Sequence, residues 1–391
     1  MSRLNELIQE LCPDGVELKR LGDQQVCVMQ RGTVITKNSI IMGEIPVIAG
    51  GKNPAYYCNQ ANRTGETITI AGSGAYAGFI SYWNIPIFVS DAFSIKGTEL
   101  CSTKYLYYLL LNMQDKIYAT KKGAGIPHVH IKDVENFKIP VPPLNVQKEI
   151  VRILDTFTSH AAELQAELQA RKEQYEYYRN KLLTFDKDEK NVKWMKLGEI
   201  GTFIRGKRFV RTDIVENGIP CIHYGDMYTF YGLKATKTKG MLRKDLAAKM
   251  RFAQKNDVVI VAAGENKDDI GVGLAWLGEE PVAVHDACFI FKSKMYPQYV
   301  AHFLRTDYYH KQIKKYVSEA KICSISAKGL AKTIIPVPSF EKQQHISSIL
   351  DKFEALVNDL TEGLPAEIAA VQEQYEYYRN KLLSFPKIKE S

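Results

Sequence analysis

The residues best placed to do chemistry crowd into one stretch of this 391-residue chain. Between Arg205 and Lys255 stand twelve basic residues: Arg205, Lys207, Arg208, Arg211, Lys234, Lys237, Lys239, Arg243, Lys244, Lys249, Arg251 and Lys255. Four acidic residues oppose them, and the surplus of eight equals the formal net charge of the whole chain, +8. His223, Tyr224 and Tyr228 interleave the cations, and Asn266 and Lys267 extend the series. Cations anchor phosphate while amides and rings reach base edges, so this mixture suits a nucleic acid. A solvated surface loop is the plainer alternative. A thinner version occurs earlier: Arg31, Lys37, Asn38, Lys52, Asn53, Tyr56, Asn62 and Arg63, then Ser73 and Tyr76 in a Gly-rich turn. Lys121 and Lys122 precede a Gly-Ala-Gly loop, and Lys321 stands at the matching place later in the chain.

Other arrangements fall short of chemistry. In Ala71-Gly72-Ser73-Gly74-Ala75-Tyr76-Ala77-Gly78 the third glycine is misplaced for a dinucleotide loop, and no phosphate-binding GxxxxGK[ST] run occurs. Asn53-Pro54-Ala55-Tyr56 lacks the second proline of the Asn-Pro-Pro-Tyr box that adenine methyltransferases use. His128 with His130, and His285 beside Asp286, have neither a third metal ligand nor a nucleophile nearby in sequence. The expectation is therefore no catalytic residue and no metal site.

Composition is that of a soluble globular protein, 45% hydrophobic and 25% charged. No apolar run approaches the roughly 20 residues of a membrane span, and the first residues lack a signal-peptide layout. None of the seven cysteines lies in a CxxC, which predicts reduced thiols in the cytoplasm.

The elements that must position the basic stretches come in duplicate. Glu173-Gln174-Tyr175-Glu176-Tyr177-Tyr178-Arg179-Asn180-Lys181-Leu182-Leu183 recurs unchanged at Glu373 to Leu383. Upstream, Ile139-Pro140-Val141-Pro142 matches Ile335-Pro336-Val337-Pro338, and Gln147, Ile150, Ile153-Leu154-Asp155 and Phe157 match Gln343, Ile346, Ile349-Leu350-Asp351 and Phe353. Fainter echoes pair Leu21-Gly22-Asp23 with Leu197-Gly198-Glu199, Ile45-Pro46 with Ile219-Pro220, and Val89-Ser90-Asp91-Ala92 with Val284-His285-Asp286-Ala287. The chain is thus two diverged fronts, each followed by a preserved tail.

Both tails read as long helices. Ile150, Leu154, Phe157, Ala161, Leu164, Leu168, Tyr175, Tyr178 and Leu182 alternate in steps of three and four, with Arg171 the one polar residue in the series, and so form a coiled-coil seam. The second tail gives Ile346, Leu350, Phe353, Val357, Leu360, Tyr375, Tyr378 and Leu382, with a four-residue insertion near Gly363 and Pro365. A four-residue insertion can pass through a coiled coil as a stutter, but glycine past one helix end and proline inside the next start favour a break or sharp kink there; the sequence leaves broken and continuous helices both open. The Ile-Pro-Val-Pro runs predict extended hinges. Within the fronts, strands are expected at 67–70, 85–89, 258–261 and 281–284, and helices near 103–118 and 297–317.

Two fronts alternating with two like tails, with Ile-Pro-Val-Pro-Pro-Leu-Asn-Val-Gln before the first tail and Leu11-Cys12-Pro13-Asp14-Gly15-Val16-Glu17-Leu18-Lys19-Arg20-Leu21-Gly22-Asp23 at the start, resemble the specificity subunits of type I restriction–modification systems. The resemblance covers essentially the whole chain. It implies an α/β (α+β) protein in which two target-recognition domains alternate with two helices packed as an antiparallel coiled coil, with pseudo-two-fold symmetry. The expected division is 1–143, a first recognition domain with a short N-terminal helix; 144–185, a central helix; 186–339, a second recognition domain; and 340–391, a C-terminal helix. It further implies a non-catalytic chain that reads double-stranded DNA at a bipartite site and docks two modification (methyltransferase) subunits and restriction/translocase subunits. Those partners would carry S-adenosylmethionine, ATP and Mg. A single-chain methyltransferase and a coiled-coil scaffold with ligand-binding heads are the competing readings. The first lacks a cofactor loop, and the second leaves the basic, aromatic stretch unexplained.

Overall fold

The computed structural model describes residues 2–36, 41–123, 125–186, 189–319 and 322–386. Lys37, Asn38 and Lys321 lie outside them. By contact the chain divides into two compact units: residues 1–163 with 369–391, and residues 164–368. Each is described by itself.

In the first unit a four-stranded antiparallel sheet runs in the order Cys27–Arg31, Ala92–Gly97, Thr67–Ala71, Ile80–Trp83. Thr67–Ala71 is buried along its whole length, as a central strand covered on both faces must be. A smaller sheet sets Ile45–Ile48 parallel to Phe88–Val89. The second unit repeats the plan. Gly201–Arg205, Cys288–Ser293, Val258–Val261 and Gly273–Trp276 lie in the same antiparallel order, and Ile219–Ile222 runs parallel to Val282–Val284. The expected strands at 85–89 and 281–284 shorten to Phe88–Val89 and Val282–Val284. The expected front helices each break in two, into Thr103–Asn112 with Gln114–Tyr118 and Pro297–Phe303 with Asp307–Ile313. Ser102 and Thr306 cap them by accepting from the Tyr105 and Tyr309 amides.

The Ile-Pro-Val-Pro runs are extended, but they are pinned rather than hinged. Lys138–Pro140 pairs with Leu18–Arg20, and Ile334–Val337 pairs with Lys193–Lys196. Ile139 and Ile335 are fully buried. The joint is then tied by the same side chains in each unit. Tyr105 and Tyr299 donate to the carbonyls of Pro140 and Pro336 at 3.1 and 3.0 Å. Gln147 accepts from the Ser102 amide and donates to Pro142 O, and Gln343 does likewise with Tyr296 and Pro338.

The first tail is a continuous helix, Leu144–Leu182, about 58 Å long at 1.5 Å per residue. The second breaks into Phe340–Asn358 and Leu364–Leu382. Asp359 stops the first part, its carboxylate accepting from the Thr361 and Glu362 amides at 2.7 and 3.2 Å. Gly363 then packs against the carbonyls at that helix end: a Cβ there would lie 2.6 Å from Ala355 O and 2.7 Å from Asp359 O. Pro365 falls in the opening turn of the next helix, where a missing N–H costs nothing.

The seam residues are buried or half-buried, with one exception. In the first unit Ile150, Leu154, Tyr375 and Leu382 join the core, and the Phe157 ring stacks on Tyr378 with centroids 5.4 Å apart. In the second, Leu168, Tyr175, Leu182, Ile346, Leu350 and Val357 pack together, Leu164 is buried, and Tyr178 stacks on Phe353 at 5.5 Å. Leu360 is the correction. Heptad counting places it in the seam, but the helix has already ended at Asn358, and Leu360 is 80% exposed. Among the described residues, no helix is long and apolar enough to cross a membrane. All seven cysteines are free, and six are buried.

Candidate nucleic-acid interface

Each unit carries one equivalent backbone frame where the main sheet meets the smaller one. In the first unit Gly32 N–H donates to Ala92 O, Thr33 N–H to Val89 O and Ser90 N–H to Ile48 O. In the second Gly206 N–H donates to Cys288 O, Lys207 N–H to Val284 O and His285 N–H to Ile222 O. The glycines are required by proximity. A Cβ on Gly32 would lie 2.0 Å from Ser90 O, and one on Gly206 would lie 2.2 Å from His285 O. The frame is main chain throughout, so its side chains can differ, and they do.

In the second unit the frame carries rings and cations. Phe209 packs edge-on against His285 at 5.1 Å and lies 5.9 Å from His223, and the two histidine rings are 4.8 Å apart. Tyr224 closes the cluster, 4.7 and 5.0 Å from those rings. Burial lowers the pKa of both histidines, and Arg211 near His223 and Arg208 near His285 push the same way. Both rings are thus held neutral at pH 7. The Gly225 amide donates to His223 Nδ1 at 3.2 Å, which leaves the proton of that neutral ring on Nε2. His285 is the residue that sequence reasoning set aside. Its signal was the repeat, since Val284-His285-Asp286-Ala287 answers Val89-Ser90-Asp91-Ala92.

The structure sorts the candidate cations by what they already touch. Lys239 is held by Asp226 at 3.0 Å, Arg243 by Asp213 and Asp245 at 3.5 and 3.3 Å, and Lys267 by Glu319. Arg205 donates to Asp286 O at 2.8 Å. Lys207, Arg208, Arg211, Lys237 and Lys244 are exposed, and no ion pair among the described residues engages them. Tyr228 lies over Gly264, where its hydroxyl would be 2.6 Å from a Cβ. Asn266 caps a short turn by accepting from the Asp268 amide at 3.2 Å.

The first unit is sorted the same way. Arg63 is spent on the frame: it donates to Ser94 Oγ at 2.7 Å, Asn62 O at 2.7 Å and Arg31 O at 2.9 Å, and burial pulls its pKa down. Asn62 exchanges two hydrogen bonds with the Val89 backbone, at 2.9 and 2.7 Å. Tyr56 donates to Ile35 O at 2.8 Å, and Lys122 pairs with Asp133 at 2.6 Å. The accessible groups are Arg31, Lys52 and Asn53, with Tyr76 45% exposed. The Lys52 ammonium lies 5.2 Å over the Tyr76 ring, and Ser73 bonds the Asp91 carboxylate. Lys121 covers the Tyr118 ring at 4.2 Å. Bridges from Ser73 and Lys122 to His128 set the Gly-rich turn beside the 121–130 loop. The structure therefore brings Lys52, Ser73 and Tyr76 together and removes Asn62, Arg63 and Lys122 from the free set.

Two units built on one frame, each joined to a preserved helical tail, define a duplicated module. The model of the type I restriction modification DNA specificity domain matches the chain twice, over residues 13–174 and 189–370. The chain belongs to that family of type I restriction–modification specificity proteins. It is 36% identical to the Escherichia coli type I restriction enzyme EcoR124I/EcoR124II specificity subunit, over 99% of this chain and 98% of that one. It is 31% identical to a putative type I restriction enzyme specificity subunit from Haemophilus influenzae, over 95% and 96% of the two chains. The fold is shared with the S subunit of a type I restriction–modification system from M. genitalium, at TM-score 0.60 and 18% identity, covering 94% of this chain and 96% of the other.

Proposed function

We propose that this chain is the DNA-reading subunit of a type I restriction–modification complex, that it recognises a bipartite double-stranded site with one front per half-site, and that it performs no catalysis itself. The observation that carries the reading is the repeated glycine-braced frame. Its hydrogen bonds are alike in both units, while its side chains differ as two half-sites of different sequence require. The division of labour follows 1–143 and 186–339 as readers and 144–185 and 340–391 as the helical scaffold. Two methyltransferase subunits dock on that scaffold, restriction/translocase subunits join them, and these partners supply S-adenosylmethionine, ATP and Mg in the cytoplasm. The free cations Lys207, Arg208 and Arg211 hold phosphates, and the rings beside them sit at base edges.

The test is co-expression with the modification subunit in a host lacking other adenine methylation, followed by genome-wide mapping of methylated adenines. A split motif with a fixed gap is expected. Methylation by the isolated chain, or an unbroken motif, overturns the proposal.

A further inference from the structure

The repeated tail motif carries one arginine in each copy, Arg179 and Arg379, and the two units treat it differently. Each guanidinium lies over the tyrosine four residues earlier, 5.1 Å from the Tyr175 ring centroid and 5.2 Å from that of Tyr375. In the first unit Arg379 Nε donates to Asn112 Oδ1 at 3.3 Å. In the second unit Arg179 Nε is buried and has no hydrogen-bond partner among the described residues. A buried donor left unsatisfied costs about 1–3 kcal/mol. The cause lies in the front helices. Asn112 stands seven residues after Tyr105, and the residue seven after Tyr299 is Thr306. Thr306 is already committed, donating to Phe303 O and accepting from the Tyr309 amide. The position before it has changed as well, for Leu111 is answered by Arg305. The second unit has thus lost an acceptor and gained a second cation at the same place.

Both arginines line a cavity of about 860 Å³, a volume that suits a small molecule. Arg305 is anchored there by the carbonyls of Gly232, Ala301 and Gly273. Burial pulls its pKa down to about 10, with Arg179 pushing the same way, so it remains charged at pH 7. The other charged groups of the lining are Lys234, which is paired with Asp351, and two carboxylates. Asp359 accepts from the Thr361 and Glu362 amides, and Glu354 enters no ion pair among the described residues. Two guanidiniums therefore face one free carboxylate. That balance suits a ligand with one anionic group rather than a polyphosphate, and it requires a donor for Glu354, which a sugar hydroxyl supplies. Tyr228 and Phe230 complete the lining, 37% and 56% exposed, and such rings stack a base at about 1–3 kcal/mol.

We propose that this cavity is a binding site for a nucleoside monophosphate, with Arg179 and Arg305 on the phosphate, the base against Phe230 and Glu354 accepting from the sugar. In the first unit Asn112 satisfies Arg379 and Leu111 brings no charge, so one chain takes one ligand.

The test is isothermal titration calorimetry of the full-length chain with AMP and, separately, with inorganic phosphate. One AMP per chain is expected, bound at least about 10-fold more tightly than phosphate because the base adds stacking. Arg179→Gln removes a charge-assisted hydrogen bond and should weaken AMP binding about 10- to 100-fold. Phe230→Ala should weaken it about 10-fold. Phe230 is exposed, so its variant should keep the melting temperature of the unaltered chain, which separates lost binding from lost folding. Arg379→Gln, in the first unit, should leave AMP affinity unchanged. Absence of saturable AMP binding, or phosphate bound as tightly as AMP, overturns the ligand assignment. Unchanged affinity in both Arg179→Gln and Phe230→Ala, or an equal loss in Arg379→Gln, overturns the assignment to this cavity.

Discussion

Neutralising Lys207, Arg208 and Arg211 together, each to Gln, should change the salt dependence of DNA binding by an amount the structure sets. All three are exposed on the loop that follows Gly206, and no carboxylate holds them among the described residues. Each phosphate contact releases condensed counterions and steepens the plot of log K against log salt by about 0.9. Three lost contacts should therefore flatten the slope by about 2.7. Between ~50 and ~200 mM salt, the advantage of the unaltered protein over the variant should then shrink about 40-fold. The comparison that gives the test its force is Lys239→Gln/Arg243→Gln. Those cations already face Asp226, and Asp213 with Asp245, so their removal should leave the slope within about 0.5 of its starting value. Fluorescence anisotropy of the assembled complex on a duplex carrying the mapped site, over a salt series, reads both. Equal slopes for the triple variant and the unaltered protein would falsify the phosphate assignment. An equal flattening by the control would show that ion pairing in the free protein does not decide which cations reach DNA.

Gly206→Ala should lower stability by about 1–3 kcal/mol in urea unfolding, because the new methyl would sit 2.2 Å from His285 O; a variant that binds the second half-site normally would mean the frame is not part of the reader. Leu360→Asp should change stability by less than about 0.5 kcal/mol, whereas Val357→Asp, at a site 2% exposed, should cost about 3 kcal/mol or more. Equal effects in thermal melts would place Leu360 back in the seam. His302 is fully enclosed, with Asp351 at 2.8 Å from Nε2 and the Tyr175 hydroxyl at 3.2 Å from Nδ1. Burial outweighs the carboxylate and pushes its pKa down to about 4. The ring is therefore neutral when folded, so its contribution is complete above the unfolded value near 6.5. It is lost as pH falls from ~6.5 towards ~4, by about 3 kcal/mol in all. His302→Gln should flatten the stability profile of the second unit over that window, and an unchanged profile argues that the proton resides elsewhere in the Tyr175–His302–Asp351 chain.

The duplication, the tails and the favoured break within the second tail were legible because their signals are local or self-referential. Apolar spacing along a helix needs no knowledge of the partner, and Gly363 with Pro365 marks a helix end in either tail's context. The joint was not legible as a joint. Proline's fixed φ told of extension at 139–142, but the partner strand Leu18–Arg20 lies more than a hundred residues upstream, and only pairing turns an apparent hinge into a clamp. The candidate cations were readable by type and not by availability. Lys239 meets a carboxylate 13 residues away and Lys267 one 52 residues away, so nothing near either lysine in sequence marks it as engaged. Leu360 was misplaced because heptad counting carries a register past a helix end that an aspartate side chain has already imposed.

The divergence of the fronts and the constancy of the tails follow from what holds each together. At the glycine-braced frame, main-chain hydrogen bonds and two glycines carry the geometry, so Ser90 can stand where the other unit has His285, and Ala49 where it has His223, without altering the turn. Such a frame separates stability from side-chain identity, because the exposed groups change while the fold does not. At the joint the geometry is carried by side chains instead. Tyr105 and Tyr299 must reach a proline carbonyl, and Gln147 and Gln343 must satisfy a half-buried amide and a buried carbonyl together. Replacing either glutamine by Leu would strand both groups, at about 1–3 kcal/mol each, and no neighbouring change restores them. The side chains at the frame can therefore drift in one unit at a time, whereas the joints and rods are held to a common design.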